Sequence, residues 1–221
     1  MMKLNDNNEL SDAFRASRQA ILTESLAITP FDGWSDSALA DAARSVGVSK
    51  ADYKAAFPRG VADLLRYWSE VLDEEMTAEM TGSAFTELKI REKVAFGIEA
   101  RLGALTGHKE AARRAAAVLA MPHFAKLAAS LSWNTADAIW RAFGDRSTDF
   151  NFYSKRAILS GVWTSTLVRW LGDDGAGEVT KQFLDARIDN VMQIEKAKGK
   201  IREIGLDPAS IINRLARARY P

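Results

Sequence analysis

Apolar residues recur at three- and four-residue intervals along almost the whole chain, and strand-like alternation bounded by turn residues is absent. That spacing puts them on one face of an α-helix and leaves no half-buried strand. β-branched residues are sparse beside Ala and Leu, which points the same way. The pattern predicts an all-α protein of nine or ten helices, with no internal repeat and no low-complexity linker.

The breaks between periodic runs place the helices. A first helix is expected over about 11–28, ended by "TPFDGW" through Pro30 and Gly33. A second, over about 35–46, stops at Gly47, which takes a positive φ without a Cβ penalty and permits a tight turn. A third starts at Ser49, where "SKAD" resembles a capping box with Asp52 in place of Glu, and "FPRG" closes it. A long fourth helix, about 61–80, carries Leu64, Leu65, Trp68, Leu72 and Met76. Further helices are expected at about 84–105, 109–121, 122–143, 150–171 and 177–203, with a last one capped by Asp207 and begun by Pro208. Three units follow: a helix-turn-helix subdomain over 1–76, a larger helical subdomain over 77–206, and a terminal helix over 207–221. The fourth helix belongs to both of the first two.

Composition narrows the chemistry. With 47% hydrophobic and 27% charged residues in 221, a folded domain with a sizeable core is expected. The absence of cysteine removes disulfide, thiolate and Cys-based metal chemistry. No apolar stretch reaches the roughly 18–20 residues of a membrane-spanning helix. His108 and His123 lack ligand spacing, and "DEE" (Asp73 to Glu75) reads as solvated charge. Phosphate loops, nucleophile elbows and di-iron pairs are also missing. The expectation is a non-enzyme with no metal site and no catalytic residue.

The order helix, "DGW" break, short helix, "GVS" turn, short helix, "FP", long helix resembles the TetR family of regulators over about 14–76. Gly33-Trp34, Leu39, Ala42, Gly47-Val48-Ser49, Phe57-Pro58 and Leu64-Leu65 carry the resemblance. A DNA-reading helix must offer donors to phosphates and base edges. Here Asp52 would set a carboxylate against phosphate, and Ala55 and Ala56 offer no hydrogen bond. Lys50 and Lys54 remain as possible phosphate contacts. With a net charge of only +1, DNA is an improbable partner. The alternative function is nevertheless a TetR-type regulator with a hydrophobic effector pocket.

"WRAFGDRSTDFNFYSKRAILSGVW" (Trp140 to Trp163) is the most specific stretch. Trp140, Gly144-Asp145, Ser147 to Asn151, Tyr153, Arg156-Ala157, Leu159 and Ser165 to Leu167 closely resemble the signature of the coenzyme Q (ubiquinone) biosynthesis accessory proteins of TetR-like fold. "MPHF" (Met121 to Phe124) and "FLDARIDNVM" (Phe183 to Met192) extend the match. The resemblance implies a non-enzymatic, dimeric, all-helical protein. Such a protein binds an isoprenoid or other lipid, associates with membranes and presents the quinone precursor to the demethoxyubiquinone hydroxylase. It requires no cofactor besides the bound lipid or isoprenoid quinone. The hydroxylase-facing patch maps to Asp149, Asn151, Phe152, Tyr153 and Arg156. Some members carry Trp where this chain has Phe152, which keeps the apolar contact and loses the indole N–H.

Candidates for the lipid cavity are Phe124, Leu127, Leu131, Ile139 and Phe143, with Leu159, Val162, Trp163 and Leu167 on the next helix. The same residues would equally make an ordinary packed core. Gly97 and Gly161, inside helices, point to close packing or to ligand space. The terminal helix "DPASIINRLARARYP" carries Ile211, Ile212 and Leu215 on an apolar stripe beside Arg214 and Arg217. That composition suits adsorption to an anionic bilayer, or a packing helix. The expected setting is the bacterial cytoplasm, on the cytoplasmic face of the inner membrane.

Overall fold

The computed structural model describes residues 2–145, 150–174 and 177–203, and every regular element among them is helical. Helices α1 (Met2–Asp32), α2 (Asp36–Ser45), α3 (Lys50–Ala56) and α4 (Val61–Glu79) form the first part. There follow α5 (Ser83–Glu87), α6 (Ile90–Leu105), α7 (Lys109–Leu119), α8 (Ala125–Ala142), α9 (Phe150–Leu171) and α10 (Glu178–Glu203). Short 3-10 turns at Thr106–His108 and Pro122–Phe124 introduce α7 and α8. The chain is all-α, as its periodicity requires.

Three boundaries differ from the sequence expectation. Helix α1 begins at Met2, well before the expected start near 11. Pro30 does not end α1. It removes one N–H, yet the helix continues to Asp32 and stops at Gly33, whose N–H closes on the Thr29 carbonyl at 2.9 Å with φ +71°. The expected helix over 84–105 is two. Leu88 and Lys89 are extended, and the Glu92 carboxylate accepts the Lys89 N–H at 2.8 Å to start α6 afresh. Lysine is not a customary N-cap, so the break carries little signal in the sequence.

The α2–α3 unit is held by caps that the sequence announces. Ser35 Oγ accepts the Ala38 N–H and Ser49 Oγ accepts the Asp52 N–H, each at 3.1 Å. Gly47 makes the turn at φ +75°. Asp52 is itself occupied, accepting the Ser49 hydroxyl at 2.6 Å. Asp36, in the first turn of α2, reaches over to accept the Val61 N–H at the start of α4 at 2.9 Å. The Arg59 backbone N–H and its Nε both donate to Asp63 at 2.8 Å.

Helix α4 ties the two parts together. Near its start Tyr67 packs on Phe57, with ring centroids 6.1 Å apart, under the Arg18 guanidinium. Farther along, α4 packs on α6 and α8, and one continuous apolar core runs from Ile21 through Leu64 and Leu72 to Ile98 and Ile139. Trp34 adds a second tie, stacking near Trp68 at 5.4 Å and donating its indole N–H to the Ala111 carbonyl of α7 at 2.9 Å.

Gly60 sits at φ +56°, and a Cβ there would lie 2.0 Å from Asp36 Oδ1. Gly60→Ala therefore both strains the backbone and displaces the cap of α4. It should cost about 2–3 kcal/mol, read as a lower denaturant midpoint at unchanged slope. Burial alone would raise the Asp63 pKa, but the Arg59 side-chain and backbone hydrogen bonds and charge outweigh it and hold the carboxyl below its ordinary value. A depressed carboxylate stabilises the fold fully above the unfolded pKa, near ~3.9, and loses that contribution as pH falls through the folded value. Asp63→Asn should accordingly flatten the acid limb of the stability profile below about pH 4.

Candidate functional site

A cavity of about 290 Å³ opens between α4, α6, α7, α8 and α9. Its existence follows from side-chain size. Helix α7, "KEAARRAAAVL", turns Ala112, Ala115 and Ala116 inward, while α4 offers Leu65, Trp68 and Leu72 and α9 offers Trp163 and Leu167. One-carbon side chains opposite large ones at helix-packing distance leave a void that none of the five helices can close. The exposed lining residues Ala120, Thr164 and Val168 mark its mouth.

The lining holds one charged side chain. Arg101 of α6, 4% exposed, donates from Nε to Asp73 Oδ1 at 2.7 Å and from Nη2 to Ser69 Oγ at 3.3 Å. Thr135 of α8 donates to the same Asp73 oxygen at 2.8 Å, and the guanidinium lies 5.3 Å from the Trp163 ring. Burial pushes the Asp73 carboxyl up and the Arg101 guanidinium down, in each case against the attraction of the other. Desolvation is the larger effect at both ends, as in most buried ion pairs. Asp73 thus departs from the solvated charge expected of "DEE". Its neighbours Glu74 and Glu75 are exposed, whereas Asp73 lies on the inward stripe with Ser69, Leu72 and Met76.

Of the expected cavity residues, Leu131, Trp163 and Leu167 line this space. Leu159 and Val162 line a second one of about 220 Å³ between α6, α9 and α10, beside Trp140 and Ile188. The other four pack elsewhere. Leu127 is buried in α8, and Phe124 is half-buried against the His123 ring. Ile139 is wholly buried where α8 meets Gly97, whose missing Cβ would stand 3.2 Å from it. Phe143 packs on Phe85 and Trp140. Gly97 thus serves close helix approach, while Gly161 is exposed and faces open space. Sequence reasoning missed Leu65, Trp68, Leu72 and the α7 alanines, because alanine marks a void only when its opposite neighbours are known.

The aromatic patch forms at the start of α9. Phe152 and Tyr153 meet edge to face at 5.1 Å, and Trp133 of α8 lies 6.4 Å and 6.3 Å from them. Tyr153 is 61% exposed. Arg156, expected to face a partner, is 1% exposed and cannot touch one directly. Its Nε donates to Asp137 at 2.5 Å and its Nη1 to Asp145 and the Phe152 carbonyl at 3.2 Å each, with the Phe152 ring 3.6 Å from the guanidinium carbon. It is a hub that fixes the patch from beneath. Asp149 and the side chain of Asn151 lie outside the described residues, as does the terminal helix with Ile211, Ile212, Arg214, Leu215 and Arg217.

The family model for COQ9 matches residues 125–195, which span α8, α9 and the described side chains of α10. The chain is 31% identical over 193 residues to the ubiquinone biosynthesis protein COQ9, mitochondrial, of Rattus norvegicus, covering 84% of this chain and 62% of the relative. The Homo sapiens counterpart is 29% identical over 194 residues, with 84% and 60% covered. A probable ubiquinone biosynthesis protein of Dictyostelium discoideum is 24% identical over 83% of this chain and 62% of its own. The chain is similar to the COQ9 family. It spans about three-fifths of the length of these curated relatives. The family region contains both the α8–α9 wall of the cavity and the aromatic patch. One expectation is overturned. The relatives are mitochondrial by name, so the bacterial cytoplasm and its membrane face do not stand as the setting.

On the helix-turn-helix, Lys50 and Lys54 are exposed, with Lys54 beside the Tyr53 ring at 5.2 Å. Between them stands Asp52, and the first N–H of α4 is already taken by Asp36. No single helix among the described residues is long and apolar enough to cross a membrane.

The hub and its patch separate by mutation. Arg156→Met removes the buried cation that Asp137 and Asp145 share, while Arg141 stays on Asp137 at 2.6 Å and Lys155 on Asp145 at 2.9 Å, and should cost about 2–3 kcal/mol in urea unfolding. Tyr153→Ala, on the exposed rim, should stay within about 0.5 kcal/mol of the parent.

Proposed function

We propose that the protein is a non-enzymatic accessory protein of ubiquinone biosynthesis that holds an isoprenoid quinone precursor in the α7-lined cavity. The observation that carries this reading is an apolar cavity between five helices in a chain similar to the COQ9 family. Removing an apolar chain from water into such a space gains about 25 cal/mol per Å². The Trp133–Phe152–Tyr153 patch supplies a second surface, with the exposed aromatic anchors that protein partners use. In this reading the patch docks the demethoxyubiquinone hydroxylase, the protein acts as a homodimer at a membrane surface, and the terminal helix assists its approach to lipid. The names of the mitochondrial relatives support the pathway.

Native mass spectrometry of the purified protein should show a co-purifying isoprenoid or other lipid that exchanges with added short-chain ubiquinone. A preparation that is reproducibly free of lipid and ignores quinone would remove the reading. Ala116→Leu should fill the void and lower lipid occupancy about tenfold while the thermal midpoint holds or rises, since the added methyl groups occupy empty apolar space. Gel shift with the protein's own upstream DNA should show no sequence-selective, salt-sensitive complex.

A further inference from the structure

Arg101 presents an unusual account of hydrogen bonds. A guanidinium carries five N–H donors in a fixed fork. Its Nε is bound to Asp73 and its Nη2 to Ser69, but its Nη1 is buried and has no hydrogen-bond partner. Arg18 and Arg66 also leave a buried nitrogen unmatched, yet both side chains are only half-buried and extend toward water. Arg101 is 4% exposed and forms part of the cavity wall. A buried charged donor without an acceptor is costly, and an apolar residue of similar size would fit this wall without that cost.

We propose that Arg101 is the polar anchor of the cavity ligand: Nη1 donates to a neutral, ring-borne oxygen of an amphiphile whose apolar chain leaves through the Ala120–Thr164–Val168 mouth. This rests on the lipid-binding reading above and specifies the ligand's chemistry and direction of entry. The geometry favours a ring. Trp163 lies against the guanidinium, Trp68 stands in the same wall, and two indoles suit an aromatic or quinonoid face. The charge balance favours a neutral acceptor. Asp73 already neutralises the guanidinium, so a ligand carboxylate or phosphate would bring an uncompensated negative charge into an apolar space. A carbonyl or methoxy oxygen accepts the spare donor without adding charge. At about 290 Å³ the cavity is at the small end of ligand pockets, which fits a ring with a short length of chain and requires a longer chain to extend outward.

The test compares three probes by quenching or shift of tryptophan fluorescence: decylubiquinone, decylbenzene and decanoate. The parent protein should bind decylubiquinone at least tenfold more tightly than decylbenzene, and decanoate more weakly than decylubiquinone. Asp73→Asn/Arg101→Met, which removes both charges together and leaves no uncompensated one, should lose that preference while binding decylbenzene as well as the parent does. Equal binding of decylubiquinone and decylbenzene by the parent overturns the anchor but leaves the lipid cavity standing, as does tighter binding of decanoate. Binding of none of the probes removes the cavity reading itself. These comparisons need only the parent protein, so they decide the matter even if the double variant does not fold. A folded double variant that keeps the tenfold preference also overturns the anchor.

Discussion

Helix α4 has little surface to spare for solvent, and the molecule is organised around that demand. Leu64, Leu65, Trp68, Leu72 and Met76 are each no more than 5% exposed. Burying so much apolar surface on one helix requires cover from several directions. The α1–α3 unit covers its beginning, through Phe57 and Ile21. Helices α6 and α8 cover its later turns. The start of α4 must then be fixed sharply, because any rotation would send Leu64 and Trp68 out of register together. Asp36, Gly60 and Asp63 perform that fixing: the Asp36 carboxylate takes the first N–H of α4, and the Asp63 carboxylate takes the Arg59 N–H just before it. The electrostatics of this helix-turn-helix thus serve internal capping.

The same helix makes the cavity. Its large side chains face α7 across the bundle, and α7 answers with alanines. Apolar wall that stays in contact with water through the mouth forgoes burial worth about 25 cal/mol per Å², against a net stability of about 5–15 kcal/mol. A ligand that fills the cavity restores the missing dispersion contacts. In the proposed lipid-binding reading, the alanine column makes the room that the ligand fills.

Much of the fold is legible in the sequence. Ser49, Gly47 and Gly60 declare caps and turns through local chemistry, and α9 begins and ends where its periodicity does. The split between α5 and α6 was not legible, because Lys89 is a poor cap and its partner Glu92 acts only once the break exists. Of the site, Leu131, Trp163 and Leu167 could be read from the apolar faces of α8 and α9, whereas the other six expected residues lie elsewhere. The α4 and α7 walls could not, because pairing Trp68 with Ala115 is a fact of tertiary structure. The buried Asp73 was the subtler loss. Within "DEE" it looks like its exposed neighbours, and only its phase relative to Leu72 and Met76 sets it apart. An arginine on the Ile98–Leu102–Leu105 stripe of α6 is the matching signal, and the two together announce a buried pair.

The two buried arginines show how one residue type serves opposite ends. Arg156 meets two carboxylates, a carbonyl and an aromatic face, so its donors are committed to holding α8, α9 and the preceding loop in one arrangement. That commitment makes it rigid, and it supports a surface without taking part in it. Arg101 meets a single carboxylate and a hydroxyl and retains a donor in a dry wall. Removing the first should be felt in stability. Removing the second together with Asp73 should be felt in which molecules the cavity accepts. Fully bonded charge builds the scaffold here, and in the proposal a spare donor on a neutralised charge selects the ligand.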